Sequence, residues 1–214
     1  MKIGIYGFGG IGRLIAKYAV KRGYEIAGVV DIDESIIGRD IGELIGLNEK
    51  YGVKVSKQLD NLVNAEVVFH ATRSYLNQVY PELVELSKMS LNIISTCETL
   101  VYPYYRYPTL ARNLDMIARK YSSTILGSGV NPGFIMDTLI VILSSSIPIV
   151  KRVVAKRSLD AGRRRLSFIK KIGVNEDPVI VKEKLLKGVI TGHVGYAESV
   201  FLIAEAMNIN LTRV

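Results

Sequence analysis

Short runs of apolar, mostly β-branched residues recur along the first 130 positions, each bounded by glycine or polar residues. Lys2 to Tyr6, Ile26 to Val30, Val67 to Ala71, Ile93 to Ser95 and Thr124 to Leu126 are of this kind. Such runs suit strands buried on both faces of a parallel sheet. Between them, residues 11–21, 80–88 and 110–120 carry apolar side chains at helical spacing, and each stretch lies between two strands, as crossover helices do. The alternation predicts βαβ units and therefore an α/β fold with a parallel sheet. Past Asn131-Pro132-Gly133 the rhythm changes. Residues 135–143 read as a linking helix, and 149–158 and 164–172 as two strands joined through Asp160-Ala161-Gly162, where Asp and Gly supply turn geometry. Residues 179–186 and 198–207 return to helical spacing. The chain thus divides into a larger α/β domain, residues 1–130, and a smaller α+β domain, residues 131–214. No repeat or flexible linker separates them, so a packed junction is expected.

The loop after the first strand reads Gly7-Phe8-Gly9-Gly10-Ile11-Gly12, a G-x-G-x-x-G. With 19 glycines in the chain, that match alone is weak. Its setting strengthens it, because the loop follows a strand, opens a helix, and Asp31 ends the next strand at the distance the dinucleotide fingerprint requires. Gly7 permits the tight turn, Gly9 lets the backbone approach a pyrophosphate, and Gly12 allows close helix packing. Gly10 and Ile11 open the helix whose free N–H groups face the anion. The fold class expected is therefore a Rossmann doubly wound parallel sheet followed by the smaller domain, and the cofactor NAD or NADP. Asp31 should accept hydrogen bonds from the adenosine ribose and repel a 2′-phosphate, which favours NAD, whereas the Arg39 guanidinium could clamp that phosphate and admit NADP. Ala71 and Thr72 follow the third of the apolar runs at the sheet's carboxyl edge and should line the cofactor, with Arg73 near the phosphates or exposed.

Ser95-Thr96-Cys97-Glu98 closes the fourth run. Glu98 beside a nicotinamide could hold an ammonium, take its proton and stabilise the iminium that forms when hydride leaves carbon. Ser-Thr-Cys-Glu, then Gly129-Val130-Asn131-Pro132-Gly133-Phe134, then Gly192-His193-Val194-Gly195-Tyr196-Ala197-Glu198-Ser199 together resemble 2,4-diaminopentanoate dehydrogenase and the native amine dehydrogenases. These are distant relatives of dihydrodipicolinate reductase, and the resemblance runs in order through the whole chain. It implies NAD(P)-dependent oxidative deamination, reversible as reductive amination, of an amine, ketone or amino acid substrate. It also implies that Glu98 handles the amine, that Asn131 lies near the nicotinamide carboxamide, that His193 borders the substrate, and that one of Arg163, Arg164 and Arg165 meets a substrate carboxylate. The acid pair the family carries after the cysteine is here Glu98-Thr99. Family members also run on for about another domain's length.

Composition narrows the alternatives. No apolar run reaches the ~18 residues of a membrane span, the chain opens directly in a strand, and Cys97 has no cysteine to pair with, so a cytoplasmic protein without a signal peptide is expected. The net charge of +8 sits largely in residues 151–171, where basic and apolar residues alternate as on a solvated face. Neither nucleic acid nor membrane is therefore expected as a partner. Two separated histidines and one cysteine show no metal-ligand spacing. Abundant Ile, Val, Lys, Arg and Glu, with glutamine only at Gln58 and Gln78, suggests a heat-adapted source. The short strand pair after residue 149 cannot bury both faces alone, so a homodimer is expected. Three other functions stay open: a dihydrodipicolinate reductase-like reductase, an aldehyde dehydrogenase using Cys97 as nucleophile, and a non-catalytic NAD(P)H-binding redox sensor.

Overall fold

The computed structural model describes residues 1–163, 166–212 and 214. In the first 130 residues the chain runs β1 (Lys2–Tyr6), α1 (Gly10–Lys21), β2 (Glu25–Val30), α2 (Ile41–Ile45), β3 (Val55–Ser56), β4 (Val67–His70), α3 (Leu76–Lys88), β5 (Asn92–Ser95), α4 (Pro103–Arg106), α5 (Pro108–Lys120) and β6 (Ile125–Gly127). The strands form one sheet in the order β3-β2-β1-β4-β5-β6. Every pairing is parallel. The order reverses between β1 and β4, the switch point where open α/β sheets bind ligands beyond the strands' carboxyl ends.

All five expected strands form, and the period of the apolar residues explains why. On one face Ile3, Ile5, Ile26 and Val29 pack with Ala16 and Ala19 of α1. On the other, Val68 and Ile93 pack with Leu76, Val79, Leu83 and Leu86 of α3 and Leu114 of α5. Fully burying one such aliphatic side chain stabilises by about 1.5–3 kcal/mol, so the sheet's central strands accept no polar residue without a partner. The expected Rossmann doubly wound parallel sheet is borne out, whereas after Gly127 the described residues form helices and no strand, so the α+β reading of the second part is not. Two small elements escaped the sequence pattern: β3 is only two residues long, and α2 is a single turn held by Asp40, whose carboxylate accepts the N–H groups of Gly42, Tyr51 and Gly52, each at 2.8 Å.

The second part of the chain contains α6 (Thr138–Ser144), α7 (Leu166–Ile172), α8 (Pro178–Leu186) and α9 (Tyr196–Ala206). The helices expected near 135–143, 179–186 and 198–207 are present. The two expected strands are not. Residues 149–158 are irregular and join no sheet, and Leu166–Ile172 is helical. Apolar residues at 166, 168, 169 and 172 fit a helix better than an alternating strand, and Asp160-Ala161-Gly162 leads into a tight turn, Ala161–Arg163, rather than a hairpin. Arg164 and Arg165 lie outside the described residues. Arg163 is exposed and pairs with Asp160 at 3.3 Å.

α9 docks on α4 through a charged contact and an aromatic one. The Arg106 Nε donates to the fully buried Glu198 at 2.8 Å. Removing the arginine would leave the buried Glu198 without its charged partner. The Phe201 ring stacks on Tyr105 with centroids 4.3 Å apart. Among the described residues no helix is long and apolar enough to cross a membrane.

Candidate active site

The glycine loop has the geometry its sequence demands. Gly7 sits at φ +92°, and a Cβ there would lie 2.6 Å from the Ala71 carbonyl oxygen across the switch point. A Cβ on Gly12 would lie 2.0 Å from the Gly7 carbonyl oxygen, so only glycine lets α1 approach β1 this closely. Gly9 is the opposite case: it is exposed, and a Cβ there would meet nothing within 4 Å. Gly9 and Gly10 lie exposed at the start of α1, followed by the part-buried Ile11, leaving room for a pyrophosphate on the helix start. Asp31 stands at the end of β2 and accepts the Phe8 N–H together with those of Ile32 and Asp33. Three of a carboxylate's roughly four acceptor positions are then used, and the Asp31 side chain is fixed against the glycine loop. Arg39 is held by Glu43 at 2.7 Å on the solvent side of α2.

The loop Ala71-Thr72-Arg73-Ser74 leaves β4 beside this site, with the Ala71 N–H bonded to the Tyr6 carbonyl at 2.8 Å. Thr72 and Arg73 are tied back to Glu82 of α3, at 2.8 and 2.9 Å. Burial works to raise the Glu82 carboxyl, but hydrogen bonds from His70 and Thr72 outweigh it and hold the group below the usual carboxylate range.

Glu98 opens a tight turn after β5, Glu98–Leu100, and is partly buried. Its Oε1 pairs with Lys171 Nζ of α7 at 3.4 Å, and that same ammonium lies 3.5 Å from Ser74 Oγ. In sequence Lys171 falls among the basic residues of a solvated face; in the structure it lies on the candidate catalytic carboxylate. No local spacing could reveal a pair separated by 73 positions.

Asn131 and His193 also come together, Asn131 Nδ2 lying 3.1 Å from His193 Nε2. With the amide nitrogen facing it, Nε2 accepts, which puts the ring proton on Nδ1. Gly195, at φ +103°, makes this contact possible, because a Cβ there would lie 2.4 Å from the Pro132 ring. The His193 ring rests on Tyr196, centroids 4.3 Å apart. Burial lowers the His193 pKa, the Lys171 and Arg157 charges lower it further, and Glu98 opposes them. The Asn131 Oδ1 is buried and finds no hydrogen-bond partner among the described residues. An acceptor left open in this way suits the amide N–H of a carboxamide. Behind it, the fully buried Asp137 accepts from Gly133 N–H at 2.7 Å, Thr138 N–H at 2.6 Å and Ser199 Oγ at 2.7 Å, joining the Asn131 turn to α9.

Cys97 is a different matter. Its thiol is fully buried, donates to the Ser74 carbonyl at 3.3 Å and is pushed up to about 11, chiefly by burial. A thiol so protected from solvent and from ionisation cannot serve as the nucleophile of an aldehyde dehydrogenase.

The family model for the dihydrodipicolinate reductase N-terminus matches residues 1–95. That for the 2,4-diaminopentanoate dehydrogenase C-terminal domain matches residues 134–214. The chain is 27% identical over 217 residues to the 2,4-diaminopentanoate dehydrogenase of Acetoanaerobium sticklandii, covering 99% of this chain and 61% of that protein. The amine dehydrogenase from Mycobacterium smegmatis superposes with a TM-score of 0.81 at 19% identity, over 100% of this chain and 63% of that one. The chain therefore spans about three fifths of the length of these relatives. Together the matches bear out the family resemblance carried by its three motifs.

Proposed function

We propose that this chain forms the cofactor-binding and substrate-facing parts of an NAD(P)-dependent oxidoreductase acting on a CH–NH2 group. The observation that carries the reading is the Lys171 ammonium lying against Glu98. A carboxylate at the sheet's carboxyl edge that receives a primary alkylammonium is suited to receive the ammonium of a substrate. The open Gly9, the exposed start of α1, the Asp31 carboxylate and the unpartnered Asn131 Oδ1 support NAD or NADP as the ligand running across the switch point. The bound dinucleotide would supply the hydride acceptor, or the donor in reverse.

Glu98 carries the proton chemistry in this reading. An amine R2CH–NH3+ gives up one proton and one hydride to leave an iminium. Water adds to it, and ammonium departs from the ketone. Glu98 holds the ammonium, accepts its proton and faces the positive charge that develops on nitrogen. His193, kept neutral by burial and by Lys171, borders the substrate as an acceptor or apolar wall rather than as a second cation. Asn131 orients His193 and offers Oδ1 to the carboxamide. Residues 1–130 form the cofactor domain in this scheme, and residues 131–214 the substrate and dimerisation domain. Action in the cytoplasm on a small amine, ketone or amino acid completes the proposal, with a homodimer resting on exposed apolar residues such as Ile142, Leu143, Leu186 and Val200 in place of the strand pair that does not form.

Glu98→Gln tests it. Amine-dependent NAD(P)H formation should fall by about 10²-fold or more, the scale of a lost positioned base, with the dinucleotide Kd within twofold of the parent. Unchanged turnover would remove Glu98 from the reaction, while dinucleotide binding without any amine-dependent signal in the parent chain would favour the redox-sensor reading.

A further inference from the structure

His70 occupies a place where the fold calls for an apolar residue. It ends β4 at the centre of the sheet, in register with Tyr6 of β1 and Ser95 of β5, and its side chain is fully buried. An imidazole there without partners would cost about 1–3 kcal/mol. Both ring nitrogens are in fact used: Nδ1 lies 2.9 Å from Ser95 Oγ and Nε2 lies 2.7 Å from Glu82 Oε2. Nε2 faces a carboxylate, which only accepts, so it carries a proton.

From this pair two arms run to the candidate site. In one, Glu82 accepts from Thr72 Oγ1 at 2.8 Å and from the Arg73 guanidinium at 2.9 Å, fixing the loop beside the glycine turn. In the other, Ser95 Oγ accepts the Cys97 N–H at 3.1 Å, setting the turn that presents Glu98. The arms then meet, because the Ser74 carbonyl accepts the Thr99 N–H at 3.1 Å and the Cys97 thiol at 3.3 Å. The result is a closed circuit of hydrogen bonds joined by short stretches of backbone: Glu82 to Thr72 and Arg73, along the chain to Ser74, to Cys97 and Thr99, and through Ser95 to His70 and back to Glu82. The loop and the turn it joins flank the Lys171 ammonium that sits on Glu98.

We infer that the buried His70 and the part-buried Glu82 are a positioning pair that holds the loop 71–74 and the turn carrying Glu98 in one fixed arrangement. The inference rests on the reading of these two segments as the cofactor and amine sides of one site. Stability alone explains the circuit poorly. Arg73 is more than half exposed, and an ion pair with so exposed a partner contributes little, about 0–1 kcal/mol. Its effect is to place the loop.

Glu82→Gln keeps the side chain's shape and removes the charge shared by His70 and Arg73. NADH affinity, read from the cofactor's fluorescence well below the unfolding temperature, should weaken by about tenfold, and the backbone amides of residues 71–74, Cys97 and Thr99 should exchange faster together. Glu85→Gln, on the same helix but paired only with Lys88 at the surface, should change neither. A lowered Tm with unchanged NADH affinity and unchanged exchange at Cys97 and Thr99 would make the pair merely structural and overturn the inference. If the parent chain binds no dinucleotide, the functional reading fails, and exchange at Cys97 and Thr99 alone decides this one: a coupled rise upholds it, no rise overturns it. Should Glu82→Gln not fold, Thr72→Val, which leaves the core intact, must raise exchange at Cys97 and Thr99. If it does not, the circuit does not couple the two segments.

Discussion

Gly9→Ala and Gly12→Ala separate the demands of the fold from those of the ligand within a single loop. At Gly9 the backbone is ordinary, φ −73°, and a new Cβ meets nothing within 4 Å. The methyl group therefore leaves the folded chain unstrained, and its small effects on helix capping and on unfolded-chain entropy, each a fraction of a kcal/mol, oppose one another. The methyl does occupy the space over the start of α1. For the parent chain at a dinucleotide concentration of about 100 Kd, binding stabilises by about 2.7 kcal/mol. In a protein of this size that raises Tm by roughly 5–10 °C. Gly9→Ala should keep the unliganded Tm within about 1–2 °C and lose most of that rise. Gly12→Ala should behave differently, because its Cβ would lie 2.0 Å from the Gly7 carbonyl. Relieving the overlap moves α1 off β1 by more than an ångström, an overpacking cost of about 1–3 kcal/mol against a helix-propensity gain of about 1 kcal/mol. Its unliganded Tm should fall by several degrees. Thermal scans of both variants with and without NADH and NADPH make the comparison. A ligand-induced rise as large in Gly9→Ala as in the parent would refute the assignment of this loop to the pyrophosphate.

Three further outcomes are expected. His193 is held below its ordinary pKa by burial and then by Lys171, so its contribution to stability is complete above about pH 6.5 and declines as the pH falls through that value toward the depressed native pKa. Lys171→Met should move the His193 NMR titration upward, and an unchanged or lower midpoint would mean that the lysine does not act on the ring. The buried Cys97, with its thiol at about 11, should resist iodoacetamide at pH 7.5 in the folded protein, as mass spectrometry would read; rapid labelling would contradict its burial. Asp31→Ala should weaken NAD binding more than NADP binding, and calorimetry giving equal losses would detach Asp31 from the ribose.

The sheet was legible because its signals are local. Each strand is a short apolar run ended by a glycine or a polar residue, and the glycine loop, Asp31 and Glu98 all follow strand ends in sequence. The strand pair expected after residue 149 failed for the converse reason. Basic and apolar residues alternate over 149–158 without forming a strand, and helical spacing sets in only at 166, 168, 169 and 172. Lys171 fell within that stretch and was read as solvated charge, although its ammonium finds Glu98 only when α7 folds back across the sheet edge. The Asn131–His193 contact, 62 positions apart, and the Arg106–Glu198 pair, 92 apart, are likewise products of tertiary packing. Sequence motifs marked three of these residues without saying that they touch. His70 stands in a strand like any other core residue, and the polar partners of its ring, Ser95, Glu82 and Thr72, distinguish it.

Because one carboxylate, Asp137, fastens the Gly133 backbone, the first turn of α6 and the Ser199 hydroxyl, the turn that carries Asn131 and the helix behind it share a bolt. Such an arrangement can be altered from the rear: a change at Ser199 loosens the turn next to Asn131 without touching Asn131 or His193.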